Sequence, residues 1–472
     1  MKFKQLLAEL IQVSRKTKTE FAVHMHMTPS GLSKLLNGGT LPILKEKYLF
    51  SERAAAFFAE ALFESGCYLK LHHIFPVLYV FNSQHDLEQF LTRAIEYVLD
   101  ENYQAEINEY LDYSEQGTSY IGDRTILDMS CILISDFIQR DSNKKLEYYS
   151  FLTLISPFYK DALNNIRLST QGNLGDWTGN FFIDLAEFEE TDYRHNFDLF
   201  ALLVKSERYM DLKLWQTNQH PDQSFLLLKD RFLLVYSSPL NGTPVLSVIR
   251  NKQYLSVFHT TLMKSNPKRI SYSKNEATEF LKSSPEIRTG IMNLKIDAVY
   301  NFVPIGYMVE EKDIKSDDQS AVNKEVILKI FNTILTTETL FIVSLNTMKQ
   351  VYSSKTVAVP LVEPVHFSKR NQLIAYMRRF DVYLSQKSSE KVKVVLGDFP
   401  PAAIFCTKEF SIVYIPTNNF QQEKYHFFRT ELIRDLLEKH LSNQSVYSVS
   451  DGIWASYLRE ITARSGIYPE EG

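Results

Sequence analysis

The stretch from Lys18 to Pro42, KTEFAVHMHMTPSGLSKLLNGGTLP, constrains this chain more than any other. Phe21, Ala22 and Met25 fall on one face of a short helix, and Thr19 is placed to cap it. Ala22 is small enough to let a second helix cross close by. The chain then turns at His26-Met27. Thr28 suits an N-cap, because its hydroxyl can accept a bond from an unpaired amide of the first turn. Pro29 follows at the first helical position, where the missing N–H is not needed. Leu32, Leu35 and Leu36 form the buried stripe of this second helix. Asn37-Gly38-Gly39 stops it, since glycine readily takes the left-handed conformation past a helix end, and Pro42 keeps it from resuming.

This order of residues resembles the helix-turn-helix of the lambda repressor and Cro family. In that family a polar residue opens the first helix, Ala sits inside it and Gly makes the turn. A hydroxyl residue caps the recognition helix, an aliphatic residue locks it and Asn-Gly ends it. Lys18, Ala22, Thr28, Leu32 and Asn37-Gly38 occupy the matching positions, apart from the turn. There His26 stands in place of Gly, and His is among the residues better tolerated at positive φ. Pro29-Ser30-Gly31 also departs from the pattern, because these residues are small or apolar and offer few base contacts. The resemblance covers 25 of 472 residues. It implies that the start of the second helix enters the major groove of DNA. Ser30, Gly31, Ser33 and Lys34 would face base edges or nearby phosphates, and Lys18, Thr19, Thr28 and Thr40 the backbone, with Asn37 at the helix end. Lys34 is the side chain best able to bind a guanine edge.

Charge agrees with this expectation. Residues 1–50 carry eight Lys/Arg against three Glu, a balance of +5; the whole chain is −4, so residues 51–472 carry −9. A basic module on an acidic body suits a phosphate-binding end and a body held away from DNA. Hydrophobic content of 44% and aromatic content of 13% are ample for packed cores and exclude a disordered chain. Cys67, Cys131 and Cys406 are far apart and form no C-x-x-C pair, which argues against a disulfide framework and a thiolate zinc site. The longest apolar run, near residues 71–81, is too short for a bilayer, which needs about 20 residues. No signal peptide is evident, so a cytoplasmic protein of a bacterium or phage host is expected, without membrane association.

At about 150 residues per domain the length predicts about three domains. The reading is multidomain: an all-α N-terminal helix-turn-helix bundle (residues 1–68), a mainly helical middle (69–206), an α+β region with an antiparallel meander (207–315), and an α+β C-terminal region with antiparallel hairpins (316–472). Phe3, Leu6, Leu7, Leu10 and Ile11 mark a first helix. Ser51 is expected to cap a long helix that Gly66 ends. Residues 85–100 and 123–140 carry helical stripes, and 148–159 is a third apolar stretch in the helical middle. Asn241-Gly242 predicts a tight hairpin turn, followed by strands over 245–248 and 254–262. Residues 311–323 read as a linker, 425–441 as one long helix and 451–465 as a last helix. LLKDRFLLVYSS (227–238) and FCTKEFSIVYIPT (405–417) both place two apolar runs around a charged turn, a hint of internal repetition.

No phosphate loop, dinucleotide fingerprint, H-E-x-x-H or G-x-S-x-G motif occurs. His24-x-His26 lies inside the helix-turn-helix stretch, where surface or turn roles are expected, and His72-His73 lies in an apolar run without an obvious carboxylate or thiol partner for a metal. The glycine-dense run 171–179 reads as a loop. No catalytic residue, metal or cofactor is assigned, and an enzyme is not expected. The expectation is a sequence-specific transcription regulator that binds double-stranded DNA as a homodimer. Its C-terminal region would dimerise the readers, sense a small molecule or peptide, or both. The alternatives are a protein-interaction or antitoxin-like defence module, and an enzyme fused to a DNA-binding domain.

Overall fold

The computed structural model describes residues 2–108, 117–140, 146–151, 167–168, 177–184, 193–207, 211–217, 223–237, 242–314, 321–387, 391–416, 423–428, 432–443 and 446–448. The chain forms two compact units, residues 1–181 with 219–266 and residues 182–218 with 267–472. Both mix helices with sheets.

The first unit begins with four helices: α1 (Phe3–Ser14), α2 (Lys18–His24), α3 (Pro29–Asn37) and α4 (Lys47–Glu64). α1 buries Phe3, Leu6, Leu7, Leu10 and Ile11, the stripe its sequence marks. It packs on α3 and α4. Phe21 of α2 sits between Phe57 and Phe58 of α4, with ring centroids 5.4 and 5.0 Å away. Each such buried ring contributes about 1.5–3 kcal/mol by leaving water. α4 starts earlier than the sequence suggests. Ser51 is no cap; it lies inside the helix, fully buried, because the 3-10 turn Leu44–Glu46 feeds straight into Lys47. Gly66 follows the helix end at φ +63°, a conformation that favours glycine.

A long helix, α5 (Gln84–Asn108), runs along α4. Lys47 donates to Asp100 at 2.7 Å, and the Tyr103 hydroxyl donates to the carbonyl of Pro42. A further helix, α6 (Asp123–Arg140), packs on α5. Five strands of this unit lie side by side in the order 146–151, 224–228, 232–237, 245–249 and 118–121. Every neighbouring pair among them is antiparallel.

The second unit holds an eight-stranded mixed sheet. Its strands run in the order Ser271–Ser273, Lys424–Phe428, Ser411–Ile415, Ala403–Cys406, Ala298–Asn301, Leu340–Ser344, Val392–Val395, Val446–Ser448. The pairs of 298–301 with 340–344 and of 340–344 with 392–395 are parallel. Helices Ala321–Thr336, Leu345–Ser354 and Arg370–Gln386 join these strands, as parallel pairing requires. Val326, Phe331, Phe341, Val343, Met377 and Phe380 belong to the apolar core beneath them.

The first five strands of this order repeat the arrangement in the first unit. An edge strand precedes helical crossover structure and the fifth strand; a hairpin and a third antiparallel strand then return to the edge. The two segments with similar sequence are the two hairpins, Ser224–Leu228 with Phe232–Ser237 and Ala403–Cys406 with Ser411–Ile415.

Several expectations need correction. Among its described residues the middle region is mainly helical, through 84–108, 123–140 and 193–206, but it also holds strands at 118–121, 146–151 and 177–183. Its aromatic runs read equally well as buried strand. Residues 254–262 are not a strand but part of the helix Lys252–Lys264. Asn251 caps it by accepting from the amide of Tyr254 at 2.8 Å, and Leu255, Phe258 and Leu262 recur at helical spacing. Residues 425–441 are not one helix; they divide into the strand Lys424–Phe428 and the helix Leu432–Ser442. The described strands on either side of Asn241-Gly242 end at Ser237 and resume at Val245. Residue 241 lies outside the described residues, as do 171–176 of the glycine-dense run, 315–320 of the expected linker and all of 451–465. Among the described residues no helix is long and apolar enough to cross a membrane.

Candidate nucleic-acid interface

The two short helices of the N-terminal stretch form as the sequence order suggests, with one change in the cap. Thr17, not Thr19, caps α2. Its hydroxyl accepts from the amide of Glu20 at 3.1 Å, and Glu20 Oε2 accepts from the amide of Thr17 at 2.7 Å. Thr17-x-x-Glu20 is a reciprocal capping box; Thr19 has Ala22 three residues on and cannot make one. The Thr17 amide and hydroxyl bonds hold the Glu20 carboxyl below the usual carboxylate range.

The turn between α2 and α3 is closed by backbone. His26 adopts φ +52° and donates its amide to Val23 O at 3.1 Å, while Met27 N donates to Ala22 O at 2.8 Å. Ala22 is buried at this turn. His24 is occupied in packing: its Nε2 lies 3.2 Å from Arg53 O, and its ring centroid 5.0 Å from that of Phe57.

α3 is capped at both ends. Thr28 Oγ1 accepts from Gly31 N at 3.1 Å. A Cβ on Gly31 would stand 3.2 Å from that same oxygen, a close approach that glycine avoids. At the other end Gly38 takes φ +73°, and the amides of Gly38 and Gly39 donate to Leu35 O and Lys34 O. The side chain of Lys4 crosses this cap; a Cβ on Gly38 would stand 2.9 Å from Lys4 Cδ. A cation there also complements the negative end of the helix.

Leu32 and Leu35 point inward and leave Ser30, Ser33, Lys34 and Asn37 exposed. These four positions follow i, i+3, i+4, i+7, so they form one outward stripe. Asn37 Nδ2 donates to Ser33 Oγ at 3.4 Å along it. Lys18, Thr19, Thr28 and Thr40 are exposed as well, and Gly31 is half-buried. Thr19 sits in the first turn of α2, away from the cap the sequence reading gave it. The sequence reading missed Lys4 and Thr17. The Thr-x-x-Glu spacing was a usable signal for Thr17. Lys4 has none, because its position depends on how α1 crosses α3.

The arrangement offers amide, hydroxyl and ammonium groups on one rigid face. Such groups bind base edges and phosphate oxygens, and no nucleophile–base pair lies among them. No family model and no curated protein matches the chain. Among solved structures, one similar chain is TrmBL2, described as an archaeal chromatin protein with a novel mode of DNA binding. It is 9% identical with a TM-score of 0.21, over 50% of this chain and 97% of that one.

Proposed function

We propose that the chain is a sequence-specific DNA-binding regulator whose N-terminal helices are a helix-turn-helix reader. One observation carries the proposal: α3 presents Ser30, Ser33, Lys34 and Asn37 as a single exposed stripe, on a helix fixed at both ends by Thr28 and Gly38. The +5 balance of residues 1–50 supports it, because phosphate contacts supply most of the affinity of such modules. In this reading the protein acts as a cytoplasmic homodimer on a double-stranded operator. The large body responds to a small-molecule or peptide effector by favouring one spacing of the readers.

The test is DNA selection with the full-length protein at two salt concentrations, followed by anisotropy titration on the selected site. The expected result is an inverted repeat with half-sites about ten base pairs apart. Lys34→Ala should then weaken specific binding by about 1–3 kcal/mol and relax preference at one base position. Binding that vanishes with salt and selects no sequence would reject the proposal.

A further inference from the structure

Four large apolar side chains lie open to water within seven residues at the start of α4: Ile43 is 65% exposed, Leu44 58%, Tyr48 60% and Leu49 46%. Leu44 and Tyr48 stand one helical turn apart, at the exposed start of the stripe that further along α4 buries Ser51, Ala55 and Phe58. Single exposed apolar residues are ordinary, but a contiguous group marks a contact surface.

The charges around this group indicate its occupant. Lys47 is engaged by Asp100 at 2.7 Å, and Glu52 Oε1 accepts from the Tyr48 hydroxyl at 3.2 Å. Lys45 and Glu46 remain exposed beside the apolar side chains, one of each sign. The patch therefore has an apolar centre and an edge of mixed sign. DNA is a poor match for it, and so is a partner surface of one sign. A second copy of the same patch is a good match, because a two-fold contact requires self-complementarity and would set Lys45 of one chain against Glu46 of the other.

We propose that residues 43–49 form the contact between two copies of this chain. This deepens the reading above and rests on it for the contact's purpose, since the same helices would fix the separation of two readers. It also moves the dimer contact from the C-terminal body to the N-terminal helices.

The experiment is sedimentation velocity of the full-length protein without DNA, over a hundredfold concentration range. The wild type should be a dimer. Leu44→Glu with Tyr48→Glu should give a monomer with unchanged circular dichroism, because both side chains point to water. Lys45→Glu should weaken self-association about tenfold, and adding Glu46→Lys should restore it by reversing both charges together. A wild type that stays monomeric, or a Leu44→Glu/Tyr48→Glu protein that stays dimeric, overturns the proposal. DNA binding of the same proteins separates the two claims. A persistent dimer with operator binding rejects the contact and keeps the reader; a dimer broken by these substitutions, with no operator bound by any form, keeps the contact and rejects the reader.

Discussion

The five-strand runs of the two units share an order and a register, and differ in what they bury. In the first unit Tyr120, Leu246 and Tyr236 stand on one rung, and Ser119, Ser247 and Val235 on the next. In the second, the same rungs hold Tyr272, Tyr425 and Tyr414, then Ser271, His426 and Val413. The edge strand carries Ser-Tyr and the hairpin Val-Tyr in both. The strand next to the edge changes: Leu246 corresponds to Tyr425, and Ser247 to His426. Each polar replacement comes with a buried carboxylate. Glu423 accepts from the Tyr414 and Tyr425 hydroxyls at 3.0 and 2.8 Å and from Leu361 N at 2.9 Å. Glu207 Oε1 lies 3.0 Å from His426 Nε2, with both side chains buried. In the first unit the Tyr236 hydroxyl meets the Ser130 hydroxyl, at 3.1 Å. A sheet interior thus tolerates polar side chains where each finds a partner, and the partner then becomes costly to remove.

Substitutions that return the second run to the pattern of the first test this difference. The largest effect should come from Glu423→Ala, which leaves two buried hydroxyls without their acceptor, while the Leu361 amide keeps only the Tyr425 hydroxyl, at 2.7 Å. It should cost about 3 kcal/mol in urea unfolding. A Glu423→Gln protein supplies the pH test. Burial raises the Glu423 carboxyl above its ordinary value despite the bonds it accepts. A raised carboxyl contributes stability that is full below its unfolded value, near 4.5, and is lost as pH rises through the folded one. The wild type should therefore lose ground to Glu423→Gln as pH climbs above that value; a constant difference across pH would break the comparison. Next, His426→Ser installs the first unit's residue and strands Glu207. It should cost about 2 kcal/mol, and adding Glu207→Gln should recover about half, a coupling readable from a double-mutant cycle. The smallest effect separates the matched tyrosines. Tyr414→Phe should cost about 1.5 kcal/mol and Tyr236→Phe about 0.5–1, because a hydroxyl bound to a carboxylate contributes more than one bound to another hydroxyl. Equal costs would mean that the carboxylate adds nothing.

Local punctuation explains which parts of the molecule were legible in sequence. Thr28-Pro29 and Asn37-Gly38 fix the two ends of α3 through contacts a few residues apart, and the leucine spacing fixes its outward face. The strands lack such markers. Phe232–Val235 and Ala403–Cys406 are continuous apolar runs because side chains on both faces of these strands are buried, which erases the alternation that would announce a strand. The helix Lys252–Lys264 failed in the opposite sense, because its β-branched and aromatic residues outweighed the cap at Asn251. Glu423 and Glu207 were illegible as partners, since each acts across a fold that only the strand order creates.

The join between the short helices and α5 has a mechanical meaning. α5 has 25 residues, a rod of about 37 Å. Along it α4 is packed, Lys47 is pinned to Asp100, and Tyr103 holds the segment that leads out of α3. A tethered head would search a volume set by its linker, and movement at one end would be lost in slack. The Tyr103 bond to Pro42 ties the segment after α3 to this rod, and over its length a tilt of about 3° would displace the tip by about 2 Å.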